Sequence, residues 1–220
     1  MRHGGRCLAA MPVLIAMLGL GGCVTPPKPY DYSAIERMPP RSILVLPPLN
    51  ETVAVEGTYS YLSTISRPIA EQGYYVYPVA VIDQLMRENG LPDAAEMQKV
   101  PLAKLREITG ADAVLYTTLH AYGSKYVVLS STTTVDASAR LVDARTGTLL
   151  WENRQMLQQG SGDGGAGLIG QLVGALVTQV ISSKSDPAHG LSRVVNTVMV
   201  TARGRGLPYG PYHPDAGKTP

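Results

Sequence analysis

AVLYTTLHAYGSKYVVLSSTTTVDASARLVDARTGTLLWENRQML, residues 113–157, carries strand signals almost without interruption. Ala113–Tyr122 (AVLYTTLHAY) and Tyr126–Ser131 are rich in β-branched and aromatic residues, and Gly123-Ser124 predicts a turn between them. Thr132–Val142, rich in Thr and Val, reads as a further strand. Asp143–Gly147 (DARTG) is a turn, and Thr148–Leu157 completes a hairpin. Successive strands joined by short turns pair antiparallel, so this half of the chain is an antiparallel sheet.

Upstream the pattern changes to alternation of strand and helix. Ser42–Leu46 (SILVL) is a short apolar run stopped by Pro47-Pro48 and reads as a buried strand. After a loop to Thr58, Tyr59–Gln72 places Leu62, Ile65 and Ile69 at helical spacing, with Gly73 as the stop and a kink or break expected at Pro68. Tyr74–Val79 is a second strand. Val81, Ile82, Leu85 and Met86 mark a helix closed by Asn89-Gly90, and Pro101–Thr109 is another, ended by Gly110. The order predicts an α/β fold: a single domain, residues 42–203, with a mixed sheet of about five or six strands flanked by helices, parallel early and antiparallel late.

Downstream, Gly160–Gly167 is a glycine-rich loop and Leu168–Ile181 is a strongly apolar helix. Leu168, Leu172, Leu176 and Val180 form one row, and Ile169, Val173, Val177 and Ile181 the next, an apolar arc wider than one sheet face needs. Gly170 and Gly174 form GxxxG, which permits close approach of another helix. Gln171 and Gln179, together with its marginal length, argue against a membrane span. Leu168, Gly170, Leu172, Gly174, Leu176 and Val180 are therefore a candidate interaction helix, packing on the protein's own sheet or on a partner or second copy. A weaker helix is expected at Leu191–Ala202, and 204–220 is an extended Gly- and Pro-rich tail.

At the other end, Arg2, His3 and Arg6 precede the apolar run Leu8–Leu20, and small Gly21 and Gly22 follow, the order of a signal peptide over residues 1–22. Leu20-Gly21-Gly22-Cys23 resembles the bacterial lipobox, which implies lipid on Cys23 and a membrane anchor. Val24, where inner-membrane lipoproteins of many Gram-negative bacteria carry Asp, points to the outer membrane. Residues 23–41 include five prolines and read as an extended tether, spanning at most ~65 Å over about 18 residues.

The chain of 220 residues is 45% apolar and 16% charged, enough for a core. Of its 19 basic groups Arg2 and Arg6 lie in the leader, so the remaining 17 balance the 17 acidic ones, which disfavours nucleic acid as a partner. Phe is absent while Tyr numbers 12, a composition suited to half-exposed sheet faces and interfaces. The two cysteines, Cys7 and Cys23, leave no internal disulfide once the leader is cut. Gly160, Gly162 and Gly165 satisfy GxGxxG, but the preceding strand is too polar for the centre of a parallel sheet, so no dinucleotide cofactor is expected. His120, His189 and His213 have no metal-ligand spacing, and His120 reads as a structural histidine in a strand. There is no GxSxG elbow and no Walker loop, so neither catalytic residues, cofactor nor metal is expected.

SILVLPPLNET (Ser42–Thr52), TYSYLSTISRPIAEQGYYVYPVAVID (Thr58–Asp83), VPLAKLREITGADAVLY (Val100–Tyr116), ARLVDARTGTLLW (Ala139–Trp151) and LPYGPYHP (Leu207–Pro214) together resemble a family of Gram-negative lipoproteins of unknown function, to which a neisserial surface-antigen candidate belongs. The hairpin at Ala139–Trp151 is more distantly similar to the N-terminal domain of TolB, the lipoprotein CsgG and the lipoprotein activators of penicillin-binding proteins. The resemblance implies a TolB-like periplasmic α/β domain with no catalytic residues. It implies a non-enzymatic outer-membrane lipoprotein, on the periplasmic rather than the surface face, that docks or assembles an envelope or secretion complex with envelope proteins such as a CsgG-like lipoprotein, or as a homo-oligomer. The alternatives are a regulator of peptidoglycan synthesis and an envelope hydrolase without a recognisable motif.

Overall fold

Three long antiparallel strands dominate the computed structural model, which describes residues 29–127, 130–160 and 186–219. Its elements run α1 (Ser33–Arg37), β1 (Ser42–Val45), β2 (Leu49–Asn50), α2 (Gly57–Glu71), β3 (Tyr75–Val76), α3 (Val79–Glu88), α4 (Ala94–Met97), α5 (Leu102–Thr109), β4 (Ala113–Val127), β5 (Ser130–Asp143), β6 (Leu149–Gly160) and α6 (Pro187–Thr201). One six-stranded sheet has the order β3-β1-β4-β5-β6, with β2 also paired to β4. β1 is parallel to β3 and β4, and β2 to β4, whereas β4, β5 and β6 pair antiparallel. The mixed α/β sheet expected from the sequence is present, parallel first and antiparallel after.

Several local readings are corrected. Gly123 does not turn the chain: β4 passes through it at φ 119°, still paired with Thr134, because turning there would forfeit the β5 pairing that runs on to Val127. The expected strand at 113–122 therefore runs on to Val127, and the expected strand at 126–131 is divided between the end of β4 and the start of β5, where Tyr126 pairs with Ser131 and Val127 with Ser130. α2 continues through Pro68 without a break, since Pro68 lies in its last turn and is buried beside Ile65 and Ile69. Val79 opens α3 rather than closing a strand, with Pro78 as its N-cap. β2 and α4 were not legible as elements; they are two and four residues long.

The helix expected at Leu191–Ala202 is α6, which begins four residues earlier, at Pro187. It reads weakly because Gly190, Ser192 and Asn196 dilute its apolar pattern, yet all three are buried along with Leu191, Val194, Val195, Met199 and Val200. Ser192 Oγ donates to Ala188 O at 2.9 Å and Asn196 Nδ2 to Thr64 Oγ1 at 2.8 Å, while Asn196 Oδ1 is buried without a hydrogen-bond partner among the described residues. Asp186 caps the helix by accepting from His189 N at 2.9 Å, with Pro187 in the first turn. α2 and α6 together bury one face of the sheet, through Ile43, Val45, Leu115, Ala137, Leu141 and Trp151. Residues 168–181 lie outside the described residues; among the latter, no helix is long and apolar enough to cross a membrane.

Both flanks pack on this body, which thus extends past 42–203. Ile35 of α1 is in the core, and Tyr30 OH accepts from Glu152 N at 2.9 Å. In the tail, Trp151 Nε1 donates to Arg205 O at 3.0 Å, Gln72 Nε2 to Leu207 O at 2.8 Å and Tyr74 OH to Pro208 O at 2.8 Å. Gly210 N and Tyr212 N donate to Gln72 O and Gly73 O at 2.7 and 3.0 Å. A tyrosine-rich composition suits these anchors, because each phenol joins an apolar ring to a polar tip. Tyr61 OH is the exception: it is fully buried without a partner, and burial pushes its pKa up.

Two predictions follow from these contacts. At Gly73 φ is +87°, and a Cβ there would lie 2.4 Å from His213 N. Gly73→Ala should therefore cost at least about 2 kcal/mol, combining left-handed strain with a displaced tail, as measured by urea denaturation. At the β5–β6 turn, burial raises the Asp143 carboxyl, but hydrogen bonds from Thr146 Oγ1, Thr146 N and Arg145 N to its Oδ1 (2.8, 2.7 and 3.0 Å) outweigh it and hold the group below its ordinary value. That contribution is complete above the ordinary carboxylate range and is lost as pH falls through the lowered value. Asp143→Asn should be less stable at neutral pH by about 1 kcal/mol and should lose less stability on acidification, read from melting temperature against pH.

Candidate functional site on the open sheet face

Strand alternation sends Val135, Ala137, Ala139 and Leu141 of β5 toward α2 and α6, and Asp136, Ser138 and Arg140 to the opposite side. On that side the second core cluster, with Leu44, Leu46, Ile82, Met86, Met97 and Leu105, covers the β1 end of the sheet. Across β5 and β6 the face is open, with Arg140, Glu152, Arg154 and Met156 exposed.

A β-bulge shapes this face. Leu119 pairs with Ala137 and Ala121 with Asp136, so His120 is the extra residue of β4. Bulges re-aim side chains, and here the imidazole spans two groups. His120 Nδ1 lies 2.7 Å from Glu51 Oε2, and Nε2 lies 2.9 Å from Ser138 Oγ. An ionised carboxylate only accepts, so Nδ1 carries the ring proton and donates it to Glu51. In the neutral ring Nε2 is then an acceptor, and Ser138 Oγ–H donates to it. Glu51 is fixed from behind: its N donates to Leu119 O at 3.0 Å, continuing the β2 pairing. The loop beyond is fastened by Asn50, which accepts from Thr52 N at 3.0 Å and donates to Ala54 O at 2.7 Å.

Ser138 stands in register with Thr118 on β4 and Arg154 on β6. Arg154 forks onto the nearly buried Asp136 carboxylate at 2.9 and 2.6 Å. Arg140 makes no ion pair among the described residues. A groove of about 600 Å³ runs beside Ser138, lined also by Tyr116, Thr118, Arg140, Gln98 and Lys99. Burial raises the Tyr116 phenol, and the Arg140 charge opposes that shift.

The other histidines sit apart. His189 Nδ1 is 3.1 Å from Ser60 Oγ, which also accepts from Tyr122 OH at 2.6 Å. His213 stacks on Tyr209 with ring centroids 4.0 Å apart. Among the described residues no group of three or more His, Cys, Asp or Glu could hold a metal ion. Cys23 and the candidate helix positions Leu168, Gly170, Leu172, Gly174, Leu176 and Val180 lie outside the described residues. The Glu51–His120–Ser138 relay is absent from the sequence reading, which took His120 as structural. Separations of 69 and 18 residues form no motif, and the bulge that joins them leaves no mark in composition.

Comparison with known proteins places this chain. The family model of the GNA1162-like lipoproteins matches residues 30–212. The lipoprotein NMB1124/NMB1162 of Neisseria meningitidis serogroup B is 43% identical over 181 residues, 82% of this chain and 84% of that protein. The crystal structure of lipoprotein GNA1162 from Neisseria meningitidis aligns with a TM-score of 0.56 at 46% identity, covering 66% of this chain and all of that one (100%). The LpoB C-terminal domain from Salmonella enterica aligns at 17% identity with a TM-score of 0.39, over 59% of this chain and 100% of that one. The chain belongs to the GNA1162-like lipoprotein family.

The tautomer of His120 is open to direct measurement. Long-range ¹⁵N–¹H NMR should show a protonated Nδ1 and an unprotonated Nε2, and Glu51→Ala should abolish that preference.

Proposed function

We propose that this member of the GNA1162-like lipoprotein family is an outer-membrane lipoprotein, on the periplasmic face, that serves as a tethered docking or assembly component of an envelope or secretion complex. The observation that carries this reading is Leu20-Gly21-Gly22-Cys23 behind an apolar leader and ahead of an α/β body. Lipid on Cys23 fixes the location, and Val24 in the place of Asp favours the outer membrane. Tethering raises the effective concentration of a partner without new contacts. The open sheet face and the apolar row Leu168–Val180 with its GxxxG supply contact surfaces, for an envelope protein such as a CsgG-like lipoprotein or for a second copy. No step of this reading calls on a cofactor or a metal.

The packing of Tyr30 and Ile35 bears on reach. It limits the reach of the arm between Cys23 and the packed Tyr30 to at most about 25 Å at full extension. Such an arm keeps the body close to the lipid surface, which favours docking there over regulation deep within the cell wall.

Cys23→Ala should abolish incorporation of a fatty-acid analogue and leave the precursor unprocessed, while equal label in wild type and variant would sink the lipid anchor. Crosslinking in intact cells, followed by mass spectrometry, should recover envelope proteins or a second copy with wild type and lose them with Cys23→Ala.

A further inference from the structure

We propose that Ser138, His120 and Glu51 form a hydrolytic site that acts on carboxylic esters reaching the open sheet face. The inference goes beyond the docking reading and does not rest on it. Its ground is the pair of short contacts on the two nitrogens of one ring: Glu51 at 2.7 Å on Nδ1 and Ser138 at 2.9 Å on Nε2. Nucleophile, base and orienting carboxylate thereby stand in hydrogen-bonded series, an arrangement recognised by geometry rather than by sequence position. Each member is held by regular backbone. Ser138 is paired on both sides within β5, His120 is set by the bulge, and Glu51 is bonded through its own N to β4. The bulge leaves His120 unpaired in the ladder, with its ring between the two partners.

The surroundings fit an acyl substrate. The groove beside Ser138 offers Tyr116 and Leu49 for an apolar portion, and the Thr118 hydroxyl and Arg140 guanidinium as donors toward a developing oxyanion. The site is open to water, with a quarter of the His120 side chain exposed. Openness suits esters, whose alkoxide leaves more readily than an amide's amine. In the first step Ser138 Oγ bonds to the ester carbonyl carbon and its proton passes to His120 Nε2. The C–O bond to the leaving group then breaks, and the departing alcohol takes that proton. One water reverses the sequence: its proton goes to Nε2, its oxygen bonds to the acyl carbon, and Ser138 leaves with the proton, releasing a carboxylic acid. Ser138 and His120 are the catalytic residues; Glu51 is a positioning residue, acting through the ring.

Full-length protein in detergent micelles provides the test, with 4-nitrophenyl acetate as substrate and a fluorophosphonate as the probe of an activated serine. Wild type should hydrolyse the ester saturably, and peptide mass spectrometry should find the phosphonyl group on Ser138. Ser138→Ala and His120→Ala should each lose about 100-fold or more in kcat/KM and all label at this peptide. Glu51→Gln should lower kcat with KM unchanged, and Glu51→Asp should recover part of the loss. Circular dichroism establishes that each variant is folded, and labelling of the wild type needs no variant. A wild type unlabelled at Ser138, or hydrolysis that survives Ser138→Ala, overturns the proposal and makes the relay a structural bridge only. Neither result bears on partner crosslinking, so the docking reading stands or falls separately.

Discussion

β5 has a hydrogen-bonded neighbour on each side along nearly all of its 14 residues, and this constraint organises the rest of the molecule. A strand so enclosed cannot rotate, so its period of two assigns every side chain to a face. Val135, Ala137, Ala139 and Leu141 must be covered, and three of the four are small or β-branched. Side chains of that size let α6 lie close to the sheet, and α2 closes the layer beside it. The opposite set, Asp136, Ser138 and Arg140, is then committed to a face whose helical cover, among the described residues, lies toward the β1 end. Burial on one side and chemistry on the other come from the same alternation.

Legibility in the sequence follows from the range of the interactions. The β5–β6 hairpin is readable because DARTG is a local device: Asp143 organises the turn with groups two and three residues away. β1 and α2 are readable because apolar periodicity is local too. α6 reads as weak because its interior includes Ser192 and Asn196, whose partners are a carbonyl in its own preceding turn and Thr64 on another helix. The tail reads as extended because its anchors are mainly its own backbone groups, bonded to Gln72, Gly73, Tyr74 and Trp151. Side-chain pattern carries no record of where a carbonyl will be satisfied. Gly73 and Gly210 are the exception in principle: their backbones approach too closely for a Cβ, but the sequence shows two glycines and not their meeting.

The relay has the same history at longer range. Glu51 follows a strand of two residues, too short to register as an element, and His120 lies in a strand where a structural role is the ordinary reading. The two become neighbours because β2 pairs with β4 at Thr118 and Leu119, immediately before the bulge. Ser138 joins them from β5, where it stands opposite Thr118 just before the bulge. A ladder without the bulge would pair His120 with Asp136; with it, His120 is left unpaired and its ring lies between Glu51 and Ser138.

Anchoring and open face are coupled through α1 and the tail. Tyr30 OH occupies the Glu152 N–H at the β6 edge, and Arg205, whose carbonyl accepts from Trp151 below it, lies with its guanidinium 5.2 Å from the Tyr30 ring. The chain leading from Cys23 therefore joins the body beside β6, on the border of the face that bears Arg154 and Ser138. An edge strand blunted at this point is barred from pairing there with another chain, which leaves the polar face beside it as the open surface. In the proposed reading, a reach of at most about 25 Å from Cys23 to Tyr30 would hold that face near the lipid surface. In that reading lipid on Cys23 would restrict which molecules meet the groove by where it holds them, and the sheet would restrict them again by charge and shape.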